Sequence, residues 1–413
     1  MFEYPNKLNK IFDKLNLYHI KSIIVGGYVR DSFLGIKSKD IDIELYNINA
    51  LEKVEKILCE FGKVNSVGKS FGVVKLLYGD LDLDFSLPRS ESKTAVGHRG
   101  FEVAIHTEFD FTSAAKRRDF TMNAIGYDVI NKKILDPYNG IADLKNKVLR
   151  AVDLEKFTED PLRVLRAIGF ATRFDLEIEK NLFLLCKNMI ESNVLEELPK
   201  ERIFEEFKKL FLKSQQPSRG IKLLKAFSGF RFFDEFQNLR EDQLNTIYSS
   251  LDIAASFKLQ EKEKLVLMLA LLTSQFSKEK QFSFLQKLTN EKKILQQVEK
   301  LTDISFNLKE LTNYAVYKLA TRTEIAFFSH YLLARYPNKQ TEITRLTQRA
   351  KELGVFHKAL QPLIKGKDLI SLGLKPSKEF SKIVSEVYEK QMREEFTTKE
   401  EVIKYLNRSL ILS

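Results

Sequence analysis

Asp40 and Asp42, one residue apart in Lys39-Asp40-Ile41-Asp42-Ile43, put two carboxylates into a shared space. Successive strand residues alternate faces, so on a strand both project from one side. Like charges this close repel unless a divalent cation lies between them. Oxygen ligands suit Mg²⁺, which keeps several waters and shares its shell with substrate phosphates. Upstream, Ile23-Ile24-Val25-Gly26-Gly27-Tyr28-Val29-Arg30-Asp31 reads as a buried strand, a diglycine turn and a short helix. Lacking Cβ atoms, Gly26 and Gly27 let backbone N–H groups approach a polyphosphate. Downstream, Asp80-Leu81-Asp82-Leu83-Asp84-Phe85-Ser86-Leu87 alternates three more carboxylates, any of which could complete a metal-binding trio. A D-x-D pair alone is common on surface loops. With the glycine turn and the second acidic strand beside it, the layout is that of phosphoryl or nucleotidyl transfer.

Two further stretches could carry chemistry. Arg117-Arg118-Asp119-Phe120-Thr121-Met122-Asn123-Ala124 reads as the opening of a helix. Asp119 would be its N-cap, and Arg118 would meet phosphate at the positive end. In Glu159-Asp160-Pro161-Leu162-Arg163-Val164-Leu165-Arg166, Asp160 and Arg163 fall on one helix face, with Pro161 in the first turn. The plain alternative is an intrahelical salt bridge. The chemical one is an acceptor set beside a planar guanidinium donor. Cytosine and adenine both present an exocyclic amine donor next to a ring-nitrogen acceptor, whereas guanine and uracil present a carbonyl next to a ring N–H. An Asp/Arg edge therefore accepts the first two bases and rejects the others. Polar groups left unpaired in such a site give discrimination on the order of 10⁴. No nucleic-acid template is needed.

The chain that must position these groups has 413 residues, 44% hydrophobic content and a formal net charge of +11. That length predicts several domains, and the charge predicts a polyanionic partner, nucleic acid first. Cys59 and Cys186 lie far apart without C-x-x-C spacing, which predicts a reducing cytoplasm and argues against zinc or a disulfide framework. The opening Met1-Phe2-Glu3-Tyr4-Pro5 does not read as a signal peptide, and the apolar run 265–272 is far too short for a membrane span. Up to about residue 136, strand-like runs at 21–26, 41–46, 72–77 and 81–87 alternate with a helical segment at 49–61. Residues 89–116 read as a long mobile loop. Beyond about residue 155, helical periodicity dominates. The fold class is α+β, a small N-terminal α/β head followed by an all-α remainder.

These residues resemble class II tRNA nucleotidyltransferases (CCA-adding enzymes) and bacterial poly(A) polymerases, within the DNA polymerase beta-like superfamily. The likeness rests on 26–31 with 39–42, on 117–124, on Asp136-Pro137-Tyr138-Asn139-Gly140 through Arg150, on 159–163, and on Glu201-Arg202-Ile203-Phe204-Glu205-Glu206. It implies a nucleotidyltransferase head over 1–136, a helical neck carrying the nucleotide-selecting template over 137–215, a helical body over 216–340 and a tRNA-binding tail over 341–413. It further implies that Asp40 and Asp42 ligate Mg²⁺, with Asp84 as third carboxylate activating the tRNA 3′-hydroxyl. Gly26, Gly27, Arg30 and Arg118 would hold the triphosphate and Asn123 the nucleotide. Asp160 and Arg163 would read the base, with Arg166 adding a contact. The implied reaction adds C, C and A to tRNA from CTP and ATP; A-only addition, poly(A) synthesis and, more remotely, a non-catalytic RNA-binding protein are the alternatives. Two departures stand out. Gly169 occupies a position where the family often has another arginine, a contact Arg173 could supply. The body lacks a His-Asp pair, so no phosphohydrolase activity is expected.

Overall fold

The computed structural model describes residues 2–65, 72–93, 101–105 and 109–411. The chain divides into two compact units, 1–237 with 287–289, and 238–286 with 290–413. The candidate chemistry lies wholly in the first.

Among the described residues, the first unit is built on a seven-stranded sheet of order β3-β4-β5-β2-β1-β8-β9. Its strands are β1 (Lys21–Val25), β2 (Asp40–Tyr46), β3 (Lys63–Asn65), β4 (Val73–Tyr78), β5 (Leu81–Ser86), β8 (Gly126–Asp128) and β9 (Lys133–Leu135). Alternation separates the two faces. Ile41, Ile43 and Leu45 of β2, and Leu83 and Phe85 of β5, are buried on one side, while the aspartates of both strands take the other. Two helices, α1 (Asn9–Leu17) and α3 (Leu51–Leu58), close the apolar side. Buried Leu51, Val54, Ile57 and Leu58 recur at the three- and four-residue spacing of one helical stripe. Between β1 and β2 runs α2 (Gly27–Phe33).

The expectation of an aperiodic loop over 89–116 is corrected. Strands β6 (Arg89–Lys93) and β7 (Phe101–Ile105) pair antiparallel, Arg89 opposite Ile105 and Lys93 opposite Phe101. A short helix, α4 (Phe111–Ala115), follows, with the Asp110 carboxylate accepting the Ser113 N–H at 2.8 Å. The strand period was present in Phe101, Val103 and Ile105, but the charged and small residues of 89–100 obscured it. Residues 94–100 and 106–108 of that expected loop lie outside the described residues.

Helical segments α5 (Gly140–Lys145), α6 (Leu154–Phe157), α7 (Leu162–Arg173), α8 (Lys180–Glu191), α9 (Lys200–Lys213) and α10 (Pro217–Ala226) follow, α7 packing on α9 and α10, with one short parallel strand pair among them, Val148–Leu149 beside Glu177–Ile178. The entry to α5 is tightly specified. The Asp136 carboxylate accepts the N–H groups of Gly140 (2.7 Å) and Ile141 (3.0 Å), and a β-carbon at Gly140 would sit 2.2 Å from the Thr121 carbonyl oxygen. That oxygen is backbone and cannot swing aside. Gly140→Ala is expected to destabilise the first unit by about 1–3 kcal/mol, read as a lowered denaturant midpoint at unchanged slope.

In the second unit the described residues form helices, from Glu241–Ala255 to Lys399–Ile411. Helix Glu261–Leu272 is buried from Leu265 to Leu272 without interruption, so the apolar run is a core helix. Ile364, Leu369, Val387, Val402 and Leu406 make a further buried cluster. No described helix is long and apolar enough to cross a membrane.

Candidate active site

Strand register selects among the acidic residues. Strand β2 pairs in parallel with β5, setting Asp40 beside Asp82 and Asp42 beside Asp84. Parallel partners share a face, so the four carboxylates line one side of the sheet. Asp80 falls in the β4–β5 turn and pairs with Lys7. Lys75, opposite Asp84 on β4, reaches its Oδ2 at 2.6 Å. Asp42 is open at its surface yet closely surrounded. Partial desolvation holds its pKa above the ordinary 3.8; Arg118 opposes this, and Asp84, Glu44 and Asp40 add to it. An acid held partly out of water with three more carboxylates around it marks a site that gains from a cation. Among the described residues, no three His, Cys, Asp or Glu side chains converge into a closed metal cage. An open carboxylate pair is nonetheless what Mg²⁺ uses when phosphates and water complete its shell.

The diglycine turn faces this edge. Gly26 has φ +70°, a conformation L side chains rarely adopt, and a β-carbon there would lie 2.9 Å from Arg118 Nη1 and 3.8 Å from Asp42 Oδ2. The glycine thus admits the Arg118 guanidinium next to the acidic strand. Arg118 donates from Nη2 to Glu44 Oε1 (3.0 Å) and from Nη1 to the Asn123 carbonyl (3.3 Å). Gly27 begins α2. Arg30, three residues on, is buried. It donates to Asp31 Oδ1 through Nε (2.8 Å) and Nη2 (2.6 Å), and to Asn123 Oδ1 through Nη1 (2.6 Å). Its guanidinium also lies 5.2 and 4.8 Å from the Phe170 and Phe174 ring centres.

The reading of Asp119 as an α-helical N-cap with Arg118 at the helix's positive end is corrected. Residues 121–123 form only a 3₁₀ turn, and the Asp119 side chain is buried beneath it. Asp119 Oδ1 accepts from Phe120 N and Asn123 Nδ2, both at 2.9 Å, while Oδ2 accepts from Arg166 Nε (2.7 Å) and Nη2 (2.6 Å). Local competition by these side-chain bonds replaces the helix that the sequence pattern suggested. Burial alone would raise the Asp119 pKa; Arg166, Asn123 and Arg163 outweigh it and hold it below 3.8. The stability it contributes is therefore complete above its unfolded pKa and lost as pH falls through the lower folded value. In Asp119→Asn the drop in stability between pH 5 and pH 3 is expected to be shallower than in the wild type, as urea titrations at each pH would measure.

Asp160 and Arg163 are close in sequence but bond elsewhere, so the intrahelical pair does not form. Asp160 Oδ1 accepts the Leu162 N–H (3.1 Å) and Oδ2 accepts Arg202 Nη2 (3.1 Å). Arg163 donates to the carbonyls of Lys156 (2.6 Å) and Arg117 (3.0 Å). Each side chain is held by partners outside the pair. At Gly169 a β-carbon would meet nothing nearer than Glu206 Oε2 at 3.9 Å, so space does not demand glycine there. Arg173 lies 3.8 Å from Asp31 Oδ2 and 4.6 Å from the Phe174 ring centre. Sequence reasoning missed Glu44, Tyr46 and Lys75, and named Arg202 only within the motif 201–206, without a role of its own. Glu44 carried a signal as the next member of the Asp40/Asp42 alternation.

Family models match in three segments: the poly A polymerase head domain at 22–150, a probable RNA- and SrmB-binding site of polymerase A at 175–239, and a putative tRNA nucleotidyltransferase domain 2 at 257–406. A CCA-adding enzyme of Lactococcus lactis subsp. lactis is 30% identical over 406 residues, 95% of this chain and 94% of that protein. In fold, the chain resembles an apo CCA-adding enzyme at 22% identity and TM-score 0.73, covering 99% of this chain and 95% of that one. It also resembles the Thermotoga maritima CCA-adding enzyme complexed with tRNA, at 22% identity and TM-score 0.68, covering 98% and 96%. With full-length similarity to such an enzyme and an acidic two-strand edge in its head, the chain belongs to the CCA-adding enzyme family of tRNA nucleotidyltransferases.

Proposed function

We propose that this chain adds C, C and A in turn to the 3′ end of tRNA, using CTP and ATP and releasing pyrophosphate. The observation that carries the reading is the parallel register setting Asp42 beside Asp84 and facing the Gly26 turn, in a member of this family. Asp40 and Asp42 would hold Mg²⁺, which when bound neutralises triphosphate charge and lowers the pKa of the attacking hydroxyl. Asp84, beside Asp42, accepts the proton of the tRNA 3′-hydroxyl, and Lys75 fixes its carboxylate. Gly26 and Gly27 let the triphosphate approach the backbone, and Arg118 meets its charge. Arg30 and Asn123 act from inside, bonded to each other. Asp160 and Arg163 present the acceptor and donor that select cytosine and adenine, and Arg166, bonded to Asp119, adds a contact to the nucleotide.

The head over 1–136 performs the chemistry, the neck over 137–215 selects the nucleotide, and the body and tail beyond grip tRNA. A net charge of +11 suits binding largely through backbone phosphates. A cytoplasmic setting fits a tRNA-processing enzyme with two free cysteines. The test supplies purified protein with tRNA ending in the discriminator base, in -C or in -CC, and labelled CTP or ATP separately. Stepwise C, C and A incorporation supports the assignment; ATP incorporation alone, or long A tails, overturns it.

A further inference from the structure

Glu44 is the one acidic side chain on the Asp40/Asp42 face of β2 that is fully buried, with 1% of its side chain exposed. Its Oε1 accepts Arg117 Nη2 at 2.9 Å and Arg118 Nη2 at 3.0 Å, and its Oε2 accepts the Tyr46 hydroxyl at 3.0 Å. Two guanidinium groups therefore rest on one carboxylate. The Arg117 end of this clamp continues into the neck, because the Arg117 carbonyl accepts Arg163 Nη2 at 3.0 Å.

We propose that Glu44 is a positioning residue that fixes Arg118 against the triphosphate and, through the Arg117 backbone, sets the base-reading Arg163. The inference rests on the nucleotidyl-transfer reading of this site. A buried carboxylate with only a structural task would hold the fold together without touching nucleotide affinity or base choice. A clamp joining the phosphate-facing arginine to the template governs both. Hydrogen bonds to charged groups are geometrically demanding, so loosening the carboxylate lets both arginines drift.

Glu44→Gln is nearly isosteric: its amide oxygen can still accept from the arginines and its NH₂ can face the Tyr46 oxygen, but the compensating charge is gone. In steady-state assays on tRNA ending in -C, its KM for CTP is expected to rise about 10-fold with a much smaller change in kcat. The KM for tRNA should stay unchanged, and UMP misincorporation relative to CMP should increase. CTP binding measured calorimetrically without tRNA should weaken by the same factor. In an Arg118→Ala background, Glu44→Gln should add little further loss of CTP affinity, since the two act as a unit. Fully additive losses, or a folded Glu44→Gln protein with wild-type KM and fidelity, would overturn the proposal. Should that variant not fold, Tyr46→Phe removes one donor to the same carboxylate and is expected to raise the CTP KM roughly 3-fold. An unchanged KM in Tyr46→Phe would then overturn it. Wild-type protein that incorporates neither CMP nor AMP would instead sink the transferase reading itself.

Discussion

Asp42→Ala is expected to reduce CMP and AMP incorporation by roughly 10³-fold or more, a loss of several kcal/mol of transition-state stabilisation. Asp42 is the residue on which the geometry converges: it lies beside Asp84 across the parallel pair, next to the Gly26 turn, and under the influence of Arg118. Its raised pKa comes first from desolvation of the carboxylate, with like-charge repulsion from Asp84, Glu44 and Asp40 adding to it against the pull of Arg118. Removing the carboxylate relieves that repulsion, so the variant should be at least as stable as the wild type while losing turnover. Single-turnover incorporation with saturating CTP, with tRNA affinity measured by filter binding, separates the two effects. Affinity should hold while turnover collapses. Asp80→Ala is the matched control, because Asp80 sits in the β4–β5 turn paired with Lys7. Loss of activity in Asp80→Ala equal to that in Asp42→Ala would mean the register has been misassigned a role.

Arg163→Ala is expected to relax the choice of base more than any other single change in the neck. A site whose selectivity comes from one acceptor and one donor loses discrimination when the donor goes, from about 10⁴ towards 10². Arg163→Lys should not restore it, because an ammonium lacks the planar fork that both spans the Lys156 and Arg117 carbonyls and presents a flat donor edge. Competition assays with all four nucleoside triphosphates read the ratio directly. Asp160 and Arg202 give a second view of the same edge. Arg202→Ala frees Asp160 Oδ2 and should weaken adenine and cytosine selection to a smaller degree than Arg163→Ala. Retention of full selectivity in Arg163→Ala would place base recognition elsewhere in the chain.

The strands carrying Asp40, Asp42 and Asp84 were legible because period-two alternation is local and survives any tertiary context. What sequence spacing could not supply was register. Nothing in Asp80-Leu81-Asp82-Leu83-Asp84 says which acid meets Asp42; parallel pairing of β2 with β5 decides it. The stretch 117–124 failed for a different reason. Asp119 followed by Phe120 and Thr121 has the look of a cap, yet Arg166 from α7 and Asn123 claim the carboxylate, and a long-range partner overrides local propensity. Asp160 and Arg163 show the same limit. Three-residue spacing predicts mutual contact, and it was Arg202, 42 residues away, and the Arg117 carbonyl that took the bonds. Glu44 was visible as a carboxylate in phase with the others, but its burial against two arginines depends on α4 bringing 117–118 over the sheet.

The pairing of β2 with β5 has a bearing on how the head matures. Strands β4 and β5 are antiparallel neighbours in sequence and can zip up early, as can β1 with β2. Asp42 and Asp84 meet only once those two halves dock, closing a loop of some forty residues that contains α3, β3 and β4. Any ion that favours the docked carboxylates over the separate ones therefore gives up part of its binding free energy to completing this topology, and should act as a ligand-driven stabiliser of the newly made head.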